Sequence, residues 1–249
     1  MSVPQLTPVR LEQLRRFSTC VIATAIESFH VRLPNTGFSN STIRCIFDDI
    51  PSIVGYATTA RIRTGDPPME GGGYHYDRID WWNQILTIPA PRIVVIQDID
   101  DHPGLGALVG EVHANILRAF GCVGAVTNGA VRDLNAVHSA GFQLFAGNVS
   151  VTHAYAHVLD FGGTVEVAGM KIRSGDLLHA DRHGVLSIPV EIADQIPQVA
   201  TQIKERRQRI VDVCRSTDFS VEKLRQSFKE EMHEHHSDTH SGHTGGSSQ

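Results

Sequence analysis

The chain has 249 residues, 41% of them hydrophobic and 20% charged, which allows a sizeable core and excludes a wholly disordered or collagen-like chain. Its 22 basic and 27 acidic residues give a net charge of −5, so no overall basic field draws it to nucleic acid or an anionic membrane, and neither is expected as a partner. The first ten residues lack a basic segment followed by an apolar one, and Cys20, Cys45, Cys122 and Cys214 are widely spaced without a CxxC pair; these features suit a cytoplasmic protein with buried, reduced thiols.

Pro8 stands at a first helical position, and Leu11, Leu14, Phe17, Val21, Ile22 and Ala25 follow at helical spacing, which predicts one long or two short opening helices. Residues 52–63, rich in Ile, Val, Tyr and Thr, read as a strand. Residues 65–82 hold Pro67-Pro68 and Gly71-Gly72-Gly73 and read as a mobile loop, in which Tyr74, His75, Tyr76, Asp77 and Arg78 suit a substrate lid. Arg92–Asp98 is apolar on consecutive residues, as a strand buried on both faces requires. A helix over 107–120, closed by Gly121, and a second buried strand over 123–127 complete a right-handed βαβ unit. Residues 134–140 read as a short helix ending at Gly141, and 142–145 as a short strand. Residues 163–189 read as antiparallel hairpins turning at Gly169, Ser174-Gly175 and His183-Gly184, and 192–229 as mostly helical. Residues 230–249 hold five of the 14 His among Ser, Gly and Thr; this tail is expected to be disordered, leaving 1–229 as one domain with C-terminal helices.

The chemistry gathers around two segments. Gly104, Gly106 and Gly110 lie at the entrance of the predicted helix, but a polar loop separates them from the preceding strand, which argues against a dinucleotide fingerprint. Exposed amides at a helix entrance still favour an anionic ligand. Further on, the strand from Val123 runs into a Gly-containing turn and delivers Arg132 and Asp133 side by side. The guanidinium fork can grip a carboxylate and the Asp can bind a divalent cation; the same pair also suits a plain surface turn in which Asp133 caps the helix at Leu134. Glu111 adds a second acid at the same carboxyl edge of the parallel strands, where ligands gather in open α/β sheets. His153 and His157 read as part of a β or loop run, and Asp98, Asp100 and Asp101 as solvated turn residues.

Gly110-Glu111, twenty residues, then Arg132-Asp133 resembles the E/D-x20-R-D pattern of the RraA-like proteins, which include 4-hydroxy-4-methyl-2-oxoglutarate/4-carboxy-4-hydroxy-2-oxoadipate aldolases, the class II pyruvate aldolases. The resemblance extends over Ser18-Thr19, Ile53-Val54-Gly55-Tyr56-Ala57-Thr58, Ser174-Gly175-Asp176 and Ala180-Asp181-Arg182-His183-Gly184-Val185, and so covers most of residues 10–200. It implies an α/β/β swivelling-domain fold with helical N- and C-terminal extensions, a homotrimer or hexamer, and a Mg²⁺ or Mn²⁺ site between subunits. By that likeness Asp133 would ligate the metal, Glu111 would hold water on it, and Arg132, with Gly110 and the amides of Val112 and His113, would bind a 2-oxo acid. Asp181 and Gly184 would belong to a structural β-turn. Three departures are His113, where the aldolases carry a small apolar residue, the 65–82 segment and the tail from Lys223.

The leading expectation is therefore a metal-dependent carbon–carbon lyase that cleaves a 4-hydroxy-2-oxo acid, decarboxylates oxaloacetate, or does both through one enolate. A Schiff-base route needs a Lys in an apolar pocket, and none of Lys171, Lys204, Lys223 and Lys229 is placed for it. The alternatives are a non-catalytic regulator that binds a partner protein such as a ribonuclease, and a related metal-dependent lyase or hydrolase acting on a bulkier substrate.

Overall fold

The computed structural model describes residues 5–68 and 79–229, so the proposed lid residues 74–78 and the His-rich tail lie outside the described residues. The chain divides into two compact units, Met1–Pro197 and Gln198–Gln249.

The first unit opens with two short helices, α1 (Pro8–Arg15) and α2 (Thr19–Glu27). Thr7 and Ser18 stand in extended backbone, and each turns its hydroxyl onto an amide of the helix it precedes, so the Ser18 cap divides what the apolar spacing alone would continue. Strands β1 (Arg44–Cys45), β2 (Ile53–Arg63), β3 (Arg92–Asp98), β4 (Ala107–Val109), β5 (Cys122–Val131), β6 (Gln143–Val149), β7 (His157–Phe161), β10 (Leu177–Asp181) and β11 (Gly184–Ile188) form one sheet, and β8 (Val165–Val167) pairs with β9 (Met170–Ile172) in a separate hairpin. The sheet order is β1-β6-β5-β3-β2-β10-β11, with β4 beside β5 and β7 beside β2. Strands β2, β3, β5 and β6 are parallel, and β10–β11 is an antiparallel hairpin.

Alternation along β3 shows how the layers are built. Val94 and Ile96 face one cluster with Trp81 and Ile85 of α3 (Ile79–Thr87), Ala114 and Leu117 of α4 (Glu111–Ala119) and Val137 of α5 (Leu134–Ser139). Ile93 and Val95 face the opposite cluster, with Val165, Val167, Met170 and Ile172 of the β8–β9 hairpin. Helices, sheet and hairpin thus stack as α/β/β, and full burial of each large side chain contributes about 1.5–3 kcal/mol.

Three expectations are corrected. Residues 79–82 are not loop but the start of α3, whose Trp81 and Ile85, one turn apart, are both fully buried. Residues 107–109 form a strand rather than the first turn of a helix, because β5 offers an unpaired edge on which Ala107 and Val109 pair with Ala130 and Val131. The strand at 123 does not turn at Gly129; it runs on to Val131 through a register shift between Thr127 and Ala130. The cysteines are free as expected, but among them only Cys122 is buried, and Cys20 and Cys214 are exposed. In the second unit, as far as it is described, most of α6 (Ile196–Arg215) and residues 221–229 are helical. No helix among the described residues is long and apolar enough to cross a membrane.

His179 ties the opening helices to the β10–β11 hairpin. Its Nε2 lies 3.3 Å from Leu14 O, which can only accept, so Nδ1 is the acceptor for the Thr19 hydroxyl at 2.9 Å. Thr19 N donates to Asp181 Oδ2 at 2.9 Å, and Asp181 and Gly184 close the hairpin turn. Burial pushes the His179 imidazole down to about 4. An unfolded His titrates near 6.5, so between about 6.5 and 4 the unfolded chain binds the extra proton. Stability is therefore full above pH 6.5 and declines as pH falls toward 4. Urea unfolding at stepped pH should show that slope in the wild type and a shallower one in His179→Gln; equal slopes would refute the assignment.

Candidate active site at the carboxyl edge of the sheet

The parallel pairing of β4 with β5 places the residues that follow both strands at one point, and Arg132 N donates to Val109 O at 3.0 Å. Gly110 is the N-cap of α4 and has no side chain to cap it. Asp133 supplies the missing acceptor: its Oδ2 takes the Glu111 N–H at 3.1 Å, and its Oδ1 takes Arg132 Nε at 3.2 Å. To reach both, Asp133 adopts φ +55°, ψ 41°, a left-handed conformation that costs a non-glycine residue about 1 kcal/mol or more. It occupies the N-cap position of α5 yet makes no cap hydrogen bond there. Asp133 thus holds the N-cap position expected of a surface turn before α5, but its carboxylate serves α4 and not the helix it precedes.

Gly110 is required by this approach. A Cβ at that position would stand 2.5 Å from Asp133 Oδ2 and 2.8 Å from Arg132 Cγ. Burial pushes the Asp133 carboxyl up, but the Glu111 N–H, the Arg132 guanidinium and the charge of His153 outweigh it, and the group lies below its ordinary value. Asp133 is thus an ionised carboxylate at neutral pH, beside a guanidinium and the positive end of a helix dipole. Arg132 spends Nε on Asp133, and its terminal nitrogens have no hydrogen bond among the described residues.

The six residues expected at the site fall into two groups. Gly110, Glu111, Arg132 and Asp133 come together, and Val112 is exposed on the first turn of α4. The His113 ring instead turns into the core, at 2% exposure, so only its backbone amide remains at the start of α4. Among the described residues no group of three or more His, Cys, Asp or Glu is assembled as a metal cluster.

His153 is the neighbour that the sequence reading missed. The chain after β6 folds back across β4: Ala107 N donates to Thr152 O at 2.9 Å, and His153 Nδ1 donates to Ala107 O at 2.9 Å. Gly106 makes this crossing possible, since a Cβ there would meet His153 O at 2.2 Å. The glycines at 106 and 110 are therefore places of close chain approach. Nothing in the local pattern around His153 signals the crossing.

Asp98 and Asp100, expected in solvent, also prove structural. Asp98 is 1% exposed and takes the amides of Gly104 at 2.8 Å and Asp100 at 3.2 Å. Asp100 Oδ2 takes the amides of Thr64 and Gly65, both at 2.7 Å. Asn128 braces the same edge, accepting from Asp98 N and donating to Asp98 O, each at 2.8 Å. These bonds hold the loop that leads into β4 and hence to Gly110. Of the three acids only Asp101 is exposed.

The α/β/β unit thus presents an ionised carboxylate and a guanidinium together at a helix start. The chain belongs to the RraA-like family, whose model, described as Aldolase/RraA, matches residues 19–187. It is 27% identical over 109 residues to a Halalkalibacterium halodurans protein named "Putative 4-hydroxy-4-methyl-2-oxoglutarate aldolase". That match covers 42% of this chain and 52% of the relative, so the chain spans about half the length of this curated protein. A crystal structure of a Pseudomonas syringae pv. tomato protein, 17% identical, superposes with a TM-score of 0.70 over 91% of this chain and 97% of that one. Streptomyces coelicolor RraAS2, an unusual member of the RNase ES inhibitor RraA protein family, is 18% identical with a TM-score of 0.63, covering 82% of this chain and 96% of its own. At these identities the two structures show the fold.

Proposed function

We propose that this chain is a metal-dependent carbon–carbon lyase acting on a 2-oxo acid. The observation that carries the reading is the Asp133 carboxylate, held in left-handed backbone against Arg132 and the start of α4. That conformation caps α4 and at the same time sets a carboxylate and a guanidinium side by side at its start.

The donor set fits Mg²⁺ or Mn²⁺. Both ions take oxygen ligands, and Mg²⁺ is commonly held by one or two carboxylates while water and substrate complete the shell. Asp133 is ionised, each of its oxygens keeps a further acceptor direction, and Glu111 is an exposed carboxylate one residue from the shared cap. When bound, the cation would act as a Lewis acid on the 2-oxo group and stabilise the negative charge that develops there. Arg132 offers its terminal nitrogens to the substrate carboxylate, and the first-turn amides of α4 add their dipoles. Glu111 accepts the proton that leaves the 4-hydroxyl in a retro-aldol cleavage. Lys171, Lys204, Lys223 and Lys229 are all exposed, which leaves a Schiff-base route without a nucleophile among the described residues.

The test is a pyruvate-release assay over 4-hydroxy-2-oxo acids and oxaloacetate, with Mg²⁺, with Mn²⁺ and with chelator. Metal-dependent release supports the lyase. No release from any of these, together with capture of a ribonuclease by the intact protein, would favour the regulator instead.

The site is proposed to be completed in a homotrimer or hexamer. Leu105, Val112, Val149, Val151 and Tyr155 are large apolar side chains left exposed around this edge, on its loops and on the neighbouring ends of α4 and β6, an arrangement that marks an association surface. Light scattering should give three or six times the 27.3 kDa chain mass. Leu105→Asp with Val151→Asp should shift it toward the monomer with loss of turnover, whereas a fully active wild-type monomer would refute a shared site.

A further inference from the structure

A cleft lies at the edge of the sheet opposite the Arg132–Asp133 pair, where β2, β3 and β5 begin. It has a volume of about 690 Å³, within the range of small-molecule sites. Nine residue steps of β5, about 30 Å at the usual strand rise, separate its floor at Cys122 from Val131 beside the Arg132–Asp133 pair. Leu6, Leu11, Ile50, Ile53, Pro91 and Val123 give it an apolar wall.

The charge around the cleft is one-sided. Arg15 lines it but is neutralised by Glu12, with contacts of 2.8 and 3.1 Å. Arg118 also lines it, at the last turn of α4, and its side chain has no hydrogen bond or ion pair among the described residues. After Pro91 of the cleft wall, Arg92 gives its three nitrogens to the carbonyls of Ile88, Phe120 and Leu86, so it caps the ends of α3 and α4 without meeting a carboxylate among the described residues. One guanidinium charge without an acidic partner among the described residues, that of Arg118, therefore lines an apolar cavity. Cys122 contributes no reactivity, since burial pushes its thiol up to about 12.

We propose that this cleft is a binding site for a small molecule with an apolar body and one anionic head group, the size of a medium-chain or aromatic carboxylate, with the head on Arg118. The site does not depend on the lyase reading, because it uses none of the residues at the carboxyl edge.

The probe is 8-anilinonaphthalene-1-sulfonate, titrated by fluorescence into the full-length protein, with decanoate and decanol as competitors. The expected result is one saturable site per chain, displaced by decanoate far better than by decanol. Arg118→Gln should weaken binding about fivefold and Arg118→Glu further, as for a partly exposed charge pair. Both variants change an exposed side chain and should melt with the wild type. The proposal is overturned by absence of saturable binding, by Arg118→Glu binding equal to wild type, or by displacement with oxaloacetate and Mg²⁺, which would put the probe at the other edge. Binding that appears only after deletion of residues 1–4 would assign the cleft to the chain's own first residues and overturn it equally.

Discussion

Asp133→Asn should lower the metal-dependent release of pyruvate by about 10²–10³-fold, the usual consequence of removing one charge aimed at a reacting centre. The substitution isolates charge from shape. Asn tolerates left-handed backbone better than most residues and can still accept the Glu111 N–H, so α4 keeps its cap. What disappears is the negative charge that holds Arg132 Nε and would meet a cation. Circular dichroism and melting should match the wild type. Arg132→Lys should fail similarly, because an ammonium cannot both brace Asp133 and present a planar fork to a carboxylate. Gly110→Ala should approach the same loss by another route, since its Cβ would force the Asp133 carboxylate to move. Undiminished turnover by Asp133→Asn would remove the carboxylate from the reaction.

Asp98→Ala should be the most damaging of these substitutions for stability while touching no ligand. It leaves the amides of Gly104 and Asp100 without their acceptor, and each stranded buried donor costs about 1–3 kcal/mol. A loss near 3 kcal/mol lowers the melting temperature of a chain this size by about 6–12 °C. Burial pushes the Asp98 carboxyl up despite those amides, so its charge itself is unfavourable in the fold. Asp98→Asn, which drops the charge and keeps one acceptor, should therefore cost less than alanine. Calorimetry on the two variants checks the order; an alanine variant melting within 2 °C of wild type would show that the loop does not rely on Asp98 (the conversion being about 2–4 °C per kcal/mol).

The most legible parts of the fold were those whose signal is local. Consecutive apolar residues marked β3 with its true ends, Arg92 and Asp98, because a strand buried on both faces needs no alternation. Turns at Gly169, Gly175 and Gly184 were readable because each has φ above zero, which glycine adopts at little cost. The spacing of Glu111 from Arg132-Asp133 carried the family, and with it the candidate site, before any contact was known.

Other features depended on a partner distant in sequence. Ala107-Leu108-Val109 is as good a helix start as a strand until β5 presents an edge to pair with, and the choice belongs to that edge. Trp81 sits beside a Gly-rich, Pro-rich segment whose composition argues for loop, and burial against the sheet decides for helix. A local reading makes Asp133 the cap of α5, but its carboxylate serves α4, because Gly110 leaves that helix start uncapped and within reach. Asp98 looks solvated from its acidic neighbours and becomes buried only when the Gly104 and Thr64 loops close over it. Sequence by itself determined the periodicities, the tight turns and the set of chemical groups, since these are properties of a residue and its neighbours. The tertiary structure decided which backbone amides each carboxylate satisfies, since a donor left without solvent must be paired by whatever group packing brings to it.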